Sequence, residues 1–100
     1  MPRLSTPNSL FGRRLREARL RVGIAQDKLG VMIGLDEQTS SARISRYESG
    51  VHEPPFSIAE RLAAALHIPS AFLYCEDDDM ARLVVDFHHL PAAARSRILE

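Results

Sequence analysis

The residue types best suited to recognition chemistry lie close together in this chain: Ser40, Ser41, Ala42, Arg43 and Arg46, with Gln26 a short distance before them. Small side chains let a backbone approach base edges, and an arginine one turn further on is long enough to pair with guanine through two parallel hydrogen bonds. A glutamine that opens a helix can bond a phosphate through its carboxamide and through its free amide N–H. Catalysis has far less to stand on. The chain holds no glycine-rich phosphate loop, no nucleophile elbow and no HExxH pair. Ser40, Ser41 and Ser45 read as cap and surface residues of a helix. His88 and His89 are adjacent, not spaced as ligands on one helix face. With Asp86 and the run Glu76 to Asp79 they read as boundary histidines beside a solvated acidic cap. No enzyme activity, metal or cofactor is therefore expected.

Those residues need elements to hold them, and the pattern is helical throughout. Asn8 or Ser9 is a candidate cap for a first helix, in which Phe11, Leu15, Ala18 and Val22 form one apolar stripe ended by Gly23. A second helix from about Ala25 carries Gln26, Asp27 and Lys28 in its exposed first turn, with Leu29 and Ile33 inward. Gly30 costs that helix propensity, which points to the close approach of another helix. Gly34 is its turn. Thr39 or Ser40 is the expected cap of a third helix, ARISRYES, which stops at Gly50 with Ile44 and Tyr47 inward. The prolines of VHEPP forbid continuation.

The next segment, Phe56 to His67, reads as a fourth helix burying Phe56, Ala59, Leu62, Ala63 and Leu66. A short fifth helix over 70–74 offers Phe72 and Leu73. The acidic run 76–79 suits the start of a sixth helix that ends at His88. Pro91 suits the first turn of a last one. No β-alternation long enough for a sheet appears.

Length and composition bound the class. One hundred residues at 45% apolar suffice for one domain with a modest core. No apolar run approaches a membrane span, and the opening MPRLSTPNS lacks a signal-peptide stretch, so a cytoplasmic location is expected. A single cysteine, Cys75, reads as a core or boundary residue. Net charge is zero, yet residues 1–50 hold nine Lys/Arg against five Asp/Glu, and residues 51–100 hold four against eight. The basic amino half is either a binding face or an arginine-rich solvated face; charge alone leaves both open.

The run GIAQDKLG from Gly23, followed by ARISRYESGVHEPP and IAERLAAALHIPSAFLY, resembles the Xre/Cro/C1-type helix-turn-helix family of phage and bacterial repressors. The likeness spans 9–75 and implies an all-α fold: a five-helix lambda-repressor-like helix-turn-helix domain plus one or two short C-terminal helices. On this reading 1–8 is a flexible arm, 9–75 the DNA-binding domain and 76–100 a C-terminal helical extension. The implied function is a sequence-specific transcriptional regulator, repressor-like, binding an inverted-repeat operator in double-stranded DNA as a homodimer.

By the same resemblance Ser41, Ala42 and Arg46 read bases, while Gln26, Arg43, Ser40 and Thr39 lie against the DNA backbone. Arg19 and Glu48 match a largely buried structural ion pair. Of Arg13, Arg14 and Arg16, one touches phosphate at most, and the others solubilise or pair with Glu17. His52 is either a backbone contact or an exposed loop residue. The sequence departs from the family where Gly34 to Ile44 is longer than in compact members, which implies a lengthened turn over Asp36–Thr39 before the recognition helix, one that could bring Gln38 or Thr39 to the DNA.

Beyond residue 80, Leu83, Val84, Phe87, Leu90, Ile98 and Leu99 need burial. They either fold back on the core or form a two-fold interface, and the interface is the favoured expectation. The last helix stops soon after it starts, which suggests a shortened chain or a helix completed by a neighbour. The competing functional class is a protein-interaction module, an adaptor or antitoxin on the same fold with DNA binding secondary or lost. Asp36 and Glu37 lean that way, and Gln26, Arg43 and Arg46 in register lean against it.

Overall fold

The structure, a computed structural model, describes residues 9–100, so the expected arm at 1–8 lies outside the described residues. Six α-helices and one 3₁₀ turn follow in order: α1 Leu10–Val22, α2 Gln26–Met32, α3 Glu37–Ser49, α4 Phe56–Ala65, the 3₁₀ turn Ser70–Tyr74, α5 Asp78–His88 and α6 Ala92–Leu99. The fold is all-helical, with no strand among the described residues. No described helix is long and apolar enough to cross a membrane.

Local chemistry sets the helix ends. Ser9 caps α1 by accepting from the Gly12 amide at 2.9 Å, and Gly23 ends the helix in the left-handed region. Ile24 packs back against the core. Val22, expected in the buried stripe, is exposed instead. The inward side of that last turn is taken by Arg19, whose Nη1 donates to the Ile24 carbonyl at 3.1 Å.

The segment Asp36–Thr39 is not a lengthened turn. Asp36 is the N-cap of α3, accepting from the Gln38 amide at 3.2 Å, and the helix starts at Glu37. An N-capping aspartate followed by a first-turn glutamate suits the positive end of a helix dipole, and this outweighs the weaker cap expected at Thr39 or Ser40. The added residues became another turn of helix.

The core is built from Leu15 of α1, Leu29 of α2, Ile44 of α3, Leu62 and Leu66 around α4, and Leu73 of the 3₁₀ turn, all fully buried. Phe56 does not join it. At 56% exposed it sits in the first turn of α4, beyond the core's edge, with its ring 6.3 Å from that of Tyr74. Leu66 closes α4, and His67 follows in the left-handed region at φ 58°. The His67 amide bonds the Ala64 carbonyl, and the Ile68 amide bonds Ala63, which is a Schellman ending.

From α5 the core receives Ala81 and Val85, with Val84 packed beside them. Leu83, at 64% exposed, points away. No residue of α6 is buried, and its Arg95 guanidinium lies 4.9 Å from the centre of the Phe87 ring on α5. Of the C-terminal apolar residues, Val84 packs on the core, Phe87 and Leu90 are half-buried, and Leu83, Ile98 and Leu99 stay exposed.

Candidate nucleic-acid interface

Two buried devices fix α3 relative to the rest of the domain. The first is at its start. Ser40 is fully buried, and its hydroxyl donates to the Asp27 carbonyl of α2 at 2.7 Å. It occupies the space beside Gly30, where a Cβ would lie 1.8 Å from Ser40 Oγ. Ser40 was expected to reach the DNA backbone. Its hydroxyl faces α2 and is already engaged, so it positions the helix and is withdrawn as a DNA contact. The same contact explains Gly30.

The second device is at the end of α3. Glu48, buried, accepts from Arg19 Nε at 2.5 Å and Arg19 Nη2 at 3.1 Å, and from Gln26 Nε2 at 3.1 Å. The fork-to-fork pair ties α1 to α3, and the glutamine adds the first turn of α2. Close passage of α1 over this point requires Gly12, where a Cβ would lie 2.2 Å from the Glu48 carbonyl oxygen.

Gln26 thus has one amide hydrogen committed to Glu48 and the other free. Its Oε1 lies 3.5 Å from Ser41 Oγ. The carboxamide links the buried ion pair to the start of the base-reading stretch. Ser41, Ala42, Arg43 and Arg46 are all exposed on α3, with Ala42 and Arg46 opposite the face that buries Ser40, Ile44, Tyr47 and Glu48, and Ser41 and Arg43 along its flanks. Thr39 is exposed, with Oγ1 3.4 Å from the Asp36 carbonyl. His52 is exposed, and its amide donates to the Arg46 carbonyl at 3.2 Å.

Arg14 is the residue sequence reasoning missed. Its pairing with Glu17 was among the expectations, but its burial was not: it is 3% exposed. Its Nε donates to the Cys75 carbonyl at 2.9 Å and its Nη2 to the Glu76 carbonyl at 3.1 Å. The guanidinium also reaches Asp78 at 2.9 Å and Glu17 at 3.0 Å, and lies 5.5 Å from the Phe72 ring centre. Burial works against its charge, but the hydrogen bonds and charges of Glu17 and Asp78 outweigh that and raise its pKa. The hydrogen bond from Arg14, then that from Arg13, holds the Asp78 carboxyl below its usual range. A signal was present: position 14 falls inside the stripe of Phe11, Leu15 and Ala18, where an arginine must be buried or displaced.

The histidine pair shows no ligand geometry. His89 Nε2 lies 2.6 Å from the His67 carbonyl, and no group of three His, Cys, Asp or Glu among the described residues is arranged to hold a metal ion.

Two short helices joined by a tight turn, the second offering small residues and arginines to solvent, define a helix-turn-helix unit. The helix-turn-helix domain family model matches residues 10–71, and the chain belongs to that family. The crystal structure of the transcriptional regulator BswR is similar to it, with a TM-score of 0.83 and 38% identity over 88% of this chain and 87% of that one. No curated protein matches the chain. Membership and likeness together make this a DNA-binding regulator of the helix-turn-helix class.

Proposed function

We propose that the protein is a sequence-specific, repressor-like regulator of the Xre/Cro/C1 type that reads the major groove of an inverted-repeat operator with α3. The observation that carries this reading is the alignment of Gln26 with Ser41, held by Glu48, beside the exposed Ala42 and Arg46. Arg46 pairs with guanine, Ala42 meets a thymine methyl, and Ser41 makes a weaker polar contact. Gln26, Arg43 and Thr39 bond phosphates and set the register. Bound protein then acts by occupancy, blocking or recruiting polymerase.

Two copies are needed to read an inverted repeat, and the surface suited to pairing is the α5–α6 groove. It encloses about 500 Å³ and is lined chiefly by Leu83, Phe87, Leu90, Ile98 and Leu99. Leu83 and Ile98 are 64% and 62% exposed, and no residue of α6 is buried. Asp86 and Arg95 also line the groove, opposite charges that a two-fold contact sets against each other.

The test is selection from random duplexes, then titration of the enriched and scrambled sequences over a range of salt with wild type and Arg46→Ala. An enriched inverted repeat, a steep salt slope and about 1–3 kcal/mol of discrimination lost in Arg46→Ala support the reading. Weak binding that does not distinguish the duplexes overturns it. Sedimentation of Leu83→Glu/Ile98→Glu tests the pairing: a folded monomer with reduced operator affinity is expected, and an unchanged dimer relocates the interface.

A further inference from the structure

The added first turn of α3 presents a side chain that the contacts proposed so far do not use. Gln38 lies four residues before Ala42 and eight before Arg46, so all three share one exposed face of the helix. Its backbone amide is held by Asp36 Oδ1 at 3.2 Å, which places it inside formed helix. Its carboxamide bonds no described residue. Ser40, two residues on, is pinned to the Asp27 carbonyl and to Gly30, so the rotation of this turn about the helix axis is fixed. Glu37 is turned toward α2, lining a cleft with Ile24, Asp27, Lys28, Val31 and Met32. The carboxylate therefore sits to one side and the neutral carboxamide points outward.

We propose that Gln38 is an additional specificity-determining residue that reads an adenine in the major groove, beyond the base pairs met by Ala42 and Arg46. The inference rests on the regulator reading above and extends it. Four residues of helix advance about 6 Å, and successive base pairs are about 3.4 Å apart. Gln38 accordingly meets the groove about two base pairs from Ala42, on the side away from Arg46. Its Nε2 donates to adenine N7 and its Oε1 accepts from adenine N6, a two-bond pairing that no other base edge offers. The half-site is correspondingly longer than one read by Ser41, Ala42 and Arg46 alone.

The experiment compares wild type with Gln38→Ala, each taken through duplex selection. Affinities are then measured on the wild-type operator, on its three variants at the assigned pair, and on one carrying 7-deazaadenine there. A thermal melt accompanies each protein, since an exposed residue without a partner is expected to leave stability unchanged. The expected result is a roughly tenfold wild-type preference for adenine, reduced by the 7-deaza base. Gln38→Ala loses that preference and keeps the one read by Arg46. An unchanged preference profile in Gln38→Ala overturns the proposal. So does a uniform loss across all sequences with a shallower salt slope, which marks a phosphate contact. Failure of wild type to enrich any sequence is a different outcome: it overturns the regulator reading itself, and this proposal with it.

Discussion

Ser40 occupies the space that a side chain on Gly30 would need: a Cβ there would lie 1.8 Å from Ser40 Oγ and 2.8 Å from Ser40 Cβ. The contact joins the two helices of the DNA-reading unit, and it sets how closely α3 lies on α2.

Gly30→Ala tests it. Alanine gains about 1 kcal/mol of helix propensity at an ordinary site. Here the second, 2.8 Å contact cannot be relieved by rotating the hydroxyl, so overpacking dominates, and a net loss of about 1–3 kcal/mol is expected by urea denaturation. A gain in stability would show that α2 and α3 separate more easily than their packing implies.

Glu48→Gln should be among the most damaging single substitutions. It removes the charge that Arg19 faces at 2.5 Å and leaves a guanidinium in a mostly buried site. A loss of about 3–5 kcal/mol is expected, a large part of the roughly 5–15 kcal/mol by which a domain is ordinarily stable. Chemical denaturation followed by circular dichroism reads it. DNA binding by this variant is informative only after folding has been shown.

The Arg14–Asp78 pair makes a pH prediction. Asp78 has a lowered pKa in the folded chain, so its contribution to stability is complete above the ordinary aspartate value of about 4 and is lost as pH falls through the lowered one. Asp78→Asn should therefore be less stable than wild type at neutral pH. The gap should narrow as pH drops below about 4. Parallel melts across that range check both the direction and the window.

His67→Gly should stabilise the protein, the reverse of the usual effect of glycine. His67 ends α4 in the left-handed region at φ 58°, which costs a side-chain-bearing residue about 1–2 kcal/mol and glycine almost nothing. The greater freedom of glycine in the unfolded chain offsets part of this, leaving a gain of about 0.5–1 kcal/mol. A rise in Tm of a few degrees is the expected signature. The His67 carbonyl that receives His89 is retained in the variant.

Helix order, the all-helical class and most core positions were legible because they depend on periodicity: Leu15, Leu29, Ile44, Leu62 and Leu66 recur at helical spacing and are buried. Gly23 and Gly50 were readable as helix ends because left-handed caps favour glycine. Gly30 was legible as an anomaly, a costly residue in a helix, but its partner was not.

Apart from Arg19 and Glu48, which the family resemblance paired in advance, the pairings between distant positions were decided only by the tertiary structure. Ser40 and Arg14 carry polar side chains whose type assigns them to the surface, although position 14 falls inside the apolar stripe, and both are buried because specific carbonyls and carboxylates meet them there. The start of α3 turned on the same kind of competition: Asp36 capped a longer helix where a longer loop was expected. Local sequence determines which residues favour helix and which face is apolar, since those depend on neighbours within a turn or two. Whether a polar group is buried depends on which atoms from elsewhere in the chain arrive to satisfy it, and only the packed fold brings those atoms together.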